Sequence, residues 1–348
     1  MRYPRPVKKG DTIGLIAPSF GCTFDPYKSC LEESIRVLKD RGFDILAGSN
    51  CFEGKGQGKS NSPELCAAEI NDFFTERDCA AVLSVGGGET MCEDLSFVDF
   101  EKISRSKPRW FMGYSDNTNL TFTLPTICDT AAVYGPCAGE FAMKPLHPAV
   151  EDAFAVLTGE KLALHSYPSW EKDALKSAED PFAPYNATEP GCIRVFGPDG
   201  SELLEGESAD FSGRLLGGCL DILQILCGTR FDRVLGFCER YRRDGVVWFL
   251  ESCDLQPVAM RRALWQLDEA GWFRTARGFI IGRPWFFDAE TFGLDRFSAV
   301  LPVLEKYHVP VVFDADIGHL PPMMPVVCGA VGSCLAQKGS LTIDQRFI

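Results

Sequence analysis

Histidine is scarce in this chain, with four copies among 348 residues. A mechanism that needs an imidazole base must use His147, His165, His308 or His319. No two cysteines form a C-x-x-C pair, so zinc ribbons and thioredoxin-type redox chemistry lack their spacing. The 15 cysteines are an odd number spread from Cys22 to Cys334, which argues against a complete disulfide framework and for reduced, mostly buried thiols. No apolar run approaches the roughly 18 residues of a membrane span. The N-terminus, MRYPRPVKKGDTIGLIAP, has basic residues but only a very short apolar stretch and no small-residue cleavage site, so a cytoplasmic protein is expected. Positive charge is also in deficit. With 35 Lys and Arg against 48 Asp and Glu the net charge is −13, and the basic residues are scattered. Such a surface repels a phosphate backbone or an anionic bilayer, so neither nucleic acid nor a membrane is expected as a partner.

What is present is ordinary globular material. Hydrophobic residues make 45% and charged residues 24% of the chain, and its length suggests two domains. The first half alternates strand-like runs (TIGLIAP at 12–18, FDILAG, AAVLSVGGG at 80–88, PRWFMGY at 108–114) with helix-like ones (25–42 and 62–76). Strands separated by helices of this length imply parallel βαβ units, hence an α/β domain with a doubly wound parallel sheet over 1–165. Its site is expected at the carboxyl ends of the strands. Residues 166–208, rich in Pro, Gly, Ser and acids, read as a connecting segment. A second α/β domain is expected over 209–348. There GRLLGGCLDILQILCGT (213–229) reads as a Gly-rich turn entering a helix, and GVVWFLE (245–251), RGFIIGR (277–283) and PVVFDADIGH (310–319) read as strands.

Several stretches carry candidate chemistry. EGKGQGKS (53–60) ends like a phosphate-binding loop, but the glycine required five positions before Gly58 is replaced by Glu53, so a surface loop is expected. SVGGGET (84–90) suits an anion nest, a tight strand-to-helix turn or an oxyanion hole, and alone does not choose among them. Ser115, within FMGYSDNTNL, stands where a strand turns into a helix. It is either a nucleophile on a sharp turn or the cap such a junction needs. The Gly-x-Ser-x-Gly elbow is absent, because position 117 is Asn. Glu251 ends a five-residue apolar run and needs a partner, either Arg261 or Arg262 in a salt bridge or a histidine that it orients. His319 lies in the loop directly after a buried strand, where α/β domains place functional groups. Ser115, Glu251 and His319 each follow a predicted strand, in the order Ser, acid, His.

Seven ordered stretches resemble the LD-carboxypeptidases, serine peptidases that include muramoyltetrapeptide carboxypeptidase and the microcin C immunity peptidase. They are IGLIAPS, AAVLSVGGGETMCEDL, FMGYSDNTNLTF, VYGPCAGEF, GRLLGGCLDILQILCGT, WFLES and DIGHLPPMMPVVCGA. The resemblance implies a doubly wound N-terminal domain, a smaller β-rich α/β C-terminal domain, and usually a homodimer. It implies Ser115 as nucleophile, His319 as general base and then acid, and Glu251 orienting His319. The oxyanion hole would be the N–H groups of Asp116 and Gly87, or of Gly86 or Gly88 in a shifted register. No metal or other cofactor is implied. The substrate would be a small peptide-like molecule, murein tetrapeptide first and a peptidyl or aminoacyl nucleotide as the alternative. In the nucleotide-cleaving branch an aromatic from the connecting segment contacts substrate, which makes Trp170 a candidate. Gly217-Gly218-Cys219 departs from the family's common Gly-Gly-Asn. A non-catalytic peptide-binding protein with the same fold is the rival from another class.

Overall fold

The computed structural model describes residues 1–348. By their contacts these form two compact units, one of residues 1–161 with 173–186, the other of residues 162–172 with 187–348. In the first unit the strands are β1 (Thr12–Ile16), β2 (Asp44–Ala47), β3 (Ala81–Ser84), β4 (Trp110–Gly113) and β5 (Ala132–Tyr134). They pair in parallel in the order β2-β1-β3-β4-β5. Helices α1 (Tyr27–Asp40), α2 (Pro63–Thr75), α3 (Phe100–Arg105), α4 (Thr118–Cys128) and α5 (Pro148–Thr158) alternate with these strands or follow them.

Local chemistry accounts for these elements. β3 and β4 are buried at every residue, as a sheet covered on both faces requires. Helix α2 starts at an extended Ser62 with Pro63 in its first turn, where a missing N–H costs nothing. Its Ile70, Phe73 and Phe74 join Val82, Phe111, Leu120 and Leu124 in one core cluster. Each such aromatic or branched side chain contributes about 1.5–3 kcal/mol by leaving water. The winding reverses between β1 and β3, and the loops leaving those two strands meet there: the Phe20 N–H donates to the Gly87 carbonyl at 2.8 Å. This switch point is where open α/β sheets form their crevice.

The second unit is built on an eight-stranded mixed sheet. Its strands are β6 (Ala163–His165), β9 (Arg194–Phe196), β10 (Ser208–Cys219), β11 (Val246–Glu251), β12 (Ala276–Gly282), β13 (Val311–Ala315), β15 (Val331–Gln337) and β16 (Ser340–Arg346). They run in the order β6-β16-β15-β10-β11-β12-β13-β9. β10 to β13 are parallel, and the pairings outside them are antiparallel. β7 (Ser169–Trp170) and β8 (Glu189–Pro190) form a two-stranded ribbon, and β14 (Val326–Cys328) precedes the β15–β16 hairpin. Helices α6 (Leu220–Leu226), α7 (Val234–Arg240), α8 (Pro257–Glu269) and α9 (Arg296–Leu304) complete the unit.

Two expectations are corrected. GRLLGGC is no turn: it is the end of the 12-residue strand β10, and α6 begins directly after it. Two glycines read locally as a turn, but here Gly217 lets the backbone of β11 approach; a Cβ on it would meet the Phe249 carbonyl at 1.7 Å. Nor is 166–208 a separate connection. Residues 173–186 belong to the first unit, where the Lys144 N–H donates to the Phe182 carbonyl at 2.9 Å and Lys176 pairs with Glu140 at 2.8 Å. The flanking residues supply β7, β8 and β9 to the second unit. Short strands without hydrophobic periodicity leave no pattern to read.

Candidate active site

β4 ends at Gly113, and the chain passes through an extended Tyr114 into a tight 3-10 turn, Ser115–Asn117, that leads into α4. Ser115 has φ +62°. A non-glycine residue in the left-handed region costs about 1–2 kcal/mol, so the surroundings must hold it. Its N–H donates to the Tyr134 hydroxyl at 3.2 Å. Asp116, 1% exposed, anchors the turn from within. Its carboxylate accepts from the Ser19 hydroxyl at 2.5 Å, the Met91 N–H at 3.0 Å and the Asn119 amide at 3.0 Å. Burial nevertheless pushes its pKa up, against the pull of those donors.

The glycine loop lies against this turn. A Cβ at Gly87 would stand 3.2 Å from Ser115 Cβ and 3.3 Å from its Oγ, so only glycine allows the approach without displacement. The Gly86 carbonyl accepts from Asn117 Nδ2 at 2.9 Å and from the Ser84 hydroxyl at 2.8 Å. In a trans peptide the C=O and the following N–H point oppositely, so pinning this carbonyl aims the Gly87 N–H away from the anchoring side chains. Neither that N–H nor the one of Asp116 donates to a protein acceptor. Asn117, which breaks the Gly-x-Ser-x-Gly pattern, thus ties the glycine loop to the serine turn. The sequence carries no local signal for this role, because the carbonyl that Asn117 reaches lies 31 residues away.

In the second unit, Glu251 is the last residue of β11 and 2% exposed. His319 stands in the exit loop of β13, and its Nδ1 meets Glu251 Oε2 at 2.8 Å. Gly318, at φ +113°, permits the contact, since a Cβ there would meet Glu251 Oε2 at 2.7 Å. Burial alone would lower the His319 pKa. The Glu251 charge and hydrogen bonds with Cys253 and Glu251 outweigh it and raise the value well above that of an ordinary histidine. With Nδ1 engaged, Nε2 is the ring nitrogen suited to move a proton. The expected alternative partner Arg261 is occupied elsewhere, donating to the carbonyls of Ser298 and Ala299 at 2.9 and 3.2 Å.

Arg283 is a further residue that the sequence did not single out. It is 1% exposed and clamps the loop on both sides of His319. One guanidinium nitrogen donates to the Asp314 carbonyl at 3.2 Å and the Asp316 carboxylate at 2.5 Å. The other donates to the carbonyls of Leu320 and Pro322 at 3.1 and 3.3 Å. Trp170 covers this guanidinium at 5.3 Å, packs on Phe287 at 4.8 Å and donates from its indole to the Pro190 carbonyl at 3.0 Å. At 3% exposure Trp170 is a packing residue in this structure.

The remaining candidates have structural partners. Lys59 pairs with Glu93, and the Ser60 hydroxyl donates to the Ala17 carbonyl at 2.6 Å, so the GKS tail is committed to holding its loop. His147 caps α5 by accepting from the Ala149 N–H, and His165 contacts the Thr342 hydroxyl. All 15 cysteines are free thiols. No three His, Cys, Asp or Glu side chains gather into a group that could hold a metal ion. No helix is long and apolar enough to cross a membrane.

A left-handed serine at a strand-to-helix turn against a glycine loop in the first unit, and a buried Glu–His pair in the second, are residue types that a serine-type hydrolase on an α/β fold uses. The chain belongs to the LD-carboxypeptidase family, whose N-terminal domain matches residues 13–135 and whose C-terminal domain matches residues 212–333. It is accordingly a serine-type LD-carboxypeptidase. It is 24% identical to a probable murein peptide carboxypeptidase of Bacillus subtilis, over 98% of this chain and 94% of that protein. In fold it is similar to an MccF-like protein from Bacillus anthracis (TM-score 0.80, 20% identity, 99% of this chain and 100% of that one). It is also similar in fold to the microcin C7 self immunity protein MccF in complex with aspartyl sulfamoyl adenosine (TM-score 0.78, 21% identity, 99% of each chain).

Proposed function

We propose that Ser115, His319 and Glu251 act as one Ser-His-Glu triad that removes the C-terminal residue from murein tetrapeptide. Ser115 Oγ attacks the last amide carbonyl while His319 Nε2 takes its proton. The oxyanion is received by the N–H groups of Gly87 and Asp116, the latter at the start of the turn into α4. His319 returns the proton to the departing amine, and water then releases the shortened peptide from Ser115 by the same route. Glu251 keeps the imidazole in the tautomer with Nε2 available. The observation that carries this reading is the held, left-handed Ser115 packed so close to Gly87 that a Cβ there would stand 3.3 Å from its Oγ. The murein substrate is supported by the name of the Bacillus subtilis relative, which aligns along nearly the whole chain. The protein is further proposed to act in the cytoplasm as a homodimer.

The test is to offer the protein murein tetrapeptide and an aspartyl sulfamoyl adenosine side by side, with Ser115→Ala as control. Release of the terminal amino acid from the tetrapeptide is expected, abolished in the variant with the melting temperature retained. Turnover of the nucleotide compound alone would move the substrate to the peptidyl nucleotide class. Binding of either without turnover would favour a non-catalytic peptide-binding protein.

A further inference from the structure

Behind the serine turn lies a second carboxyl group that the mechanism above does not use. Asp94 belongs to the 3-10 turn Met91–Ser96, whose first N–H, that of Met91, donates to the Asp116 carboxylate. It is 4% exposed, and its Oδ2 has no hydrogen-bond partner. The charged and titratable groups that act on it are Asp116 from the serine turn, Lys59 from the 53–60 loop, Glu64 and Cys66 from α2, and Cys92 and Glu93 from its own turn. The single cation, Lys59, is already paired with Glu93.

A buried carboxylate without a donor is costly, and Asp94 lies in the very turn whose Met91 N–H bonds Asp116, so a charge on Asp94 is disfavoured while Asp116 is ionised. Asp116 accepts three hydrogen bonds and is the member fitted to carry charge; Asp94 has none and is fitted to carry the proton. We infer that Asp94 is a positioning residue that must be protonated for Asp116 to hold the Ser115 turn and the glycine loop in their working geometry. The inference rests on Ser115 being the nucleophile. Burial, then the Asp116 charge, push the Asp94 pKa up to about 8, so its proton is lost just above neutral pH. The ionised form repels Asp116 and loosens its bonds to Met91 and Ser19. Rate is lost on the alkaline side as a result.

The experiment compares Asp94→Asn, neutral at every pH, with the wild type between pH 7 and pH 9. Titration of His319 affects both proteins and cancels in their ratio. The variant-to-wild-type ratio of kcat/KM on murein tetrapeptide is expected to climb roughly tenfold, as the protonated fraction of a group with a pKa near 8 falls. A flat ratio overturns the inference. Asp94→Leu, also neutral, must show the same climb if the lost charge rather than the new side chain is responsible. The rate of Ser115 modification by a small fluorophosphonate reads the same ratio without any peptide. Absence of tetrapeptide turnover with intact labelling therefore discredits the substrate and leaves the Asp94 result standing. Absence of labelling at Ser115 overturns the nucleophile reading and this inference with it.

Discussion

At the scale of single residues, the site is governed by how buried charges are compensated. Glu251 holds the His319 pKa well above the ordinary value, and in the proposed triad His319 must be neutral to take the serine proton. The rate is therefore expected to rise with pH through that elevated pKa. Glu251→Gln removes the charge that raises it, so the acid limb of the kcat/KM profile should move to lower pH, while kcat falls by about 10²–10⁴ through loss of the correct tautomer. A pH–rate profile of the variant checks both. Asp94 gives a stability effect of definite sign. Its pKa is raised from 3.8 to about 8, so the folded state holds a proton that the unfolded chain gives up. Its favourable contribution is full below about pH 4 and is lost as pH rises towards 8. Asp94→Asn should consequently be more stable than the wild type at pH 7, by on the order of 1–3 kcal/mol, with the gap closing near pH 4. Denaturant midpoints at the two pH values measure it.

At the scale of elements, loops after strands are held by buried side chains from elsewhere in the same unit. Arg283, at the end of β12, braces the loop after β13 on both sides of His319. Arg283→Met leaves the Asp316 carboxylate without its cation. It is expected to cost about 3–5 kcal/mol, with a loss of kcat larger than any change in KM. Thermal melting and steady-state kinetics separate the two effects, and Arg283→Lys should recover only part of either, because a point charge cannot reach both pairs of acceptors. Elements of this kind were partly legible in the sequence. The buried strands of the first unit and the amphipathic helices announce themselves by apolar runs and period. β10 did not, because Gly217 and Gly218 imitate a turn and only the close approach of Phe249 explains them. Arg283 and Asn117 were invisible for another reason: their importance lies in carbonyls they reach far along the chain, which no local pattern encodes.

At the scale of the whole molecule, one unit holds a doubly wound parallel sheet and the other a mixed sheet, each placing its candidate side chains at or just beyond strand ends. Sequence reasoning reached those strand ends, since Ser115, Glu251 and His319 all follow readable strands. It could not divide 166–208 between the units, because short irregular strands are set by tertiary pairing. A net charge of −13 predicts that an anionic peptide is captured more slowly at low than at moderate ionic strength, which a salt series of kcat/KM would reveal.

In the proposed mechanism Ser115 carries the acyl group during turnover. Mass spectrometry of the protein acid-quenched while it hydrolyses murein tetrapeptide addresses this most directly. The expected product is an adduct on Ser115 equal to the substrate shortened by its C-terminal residue, absent from Ser115→Ala. An adduct on another residue, or undiminished turnover by Ser115→Ala, would contradict it.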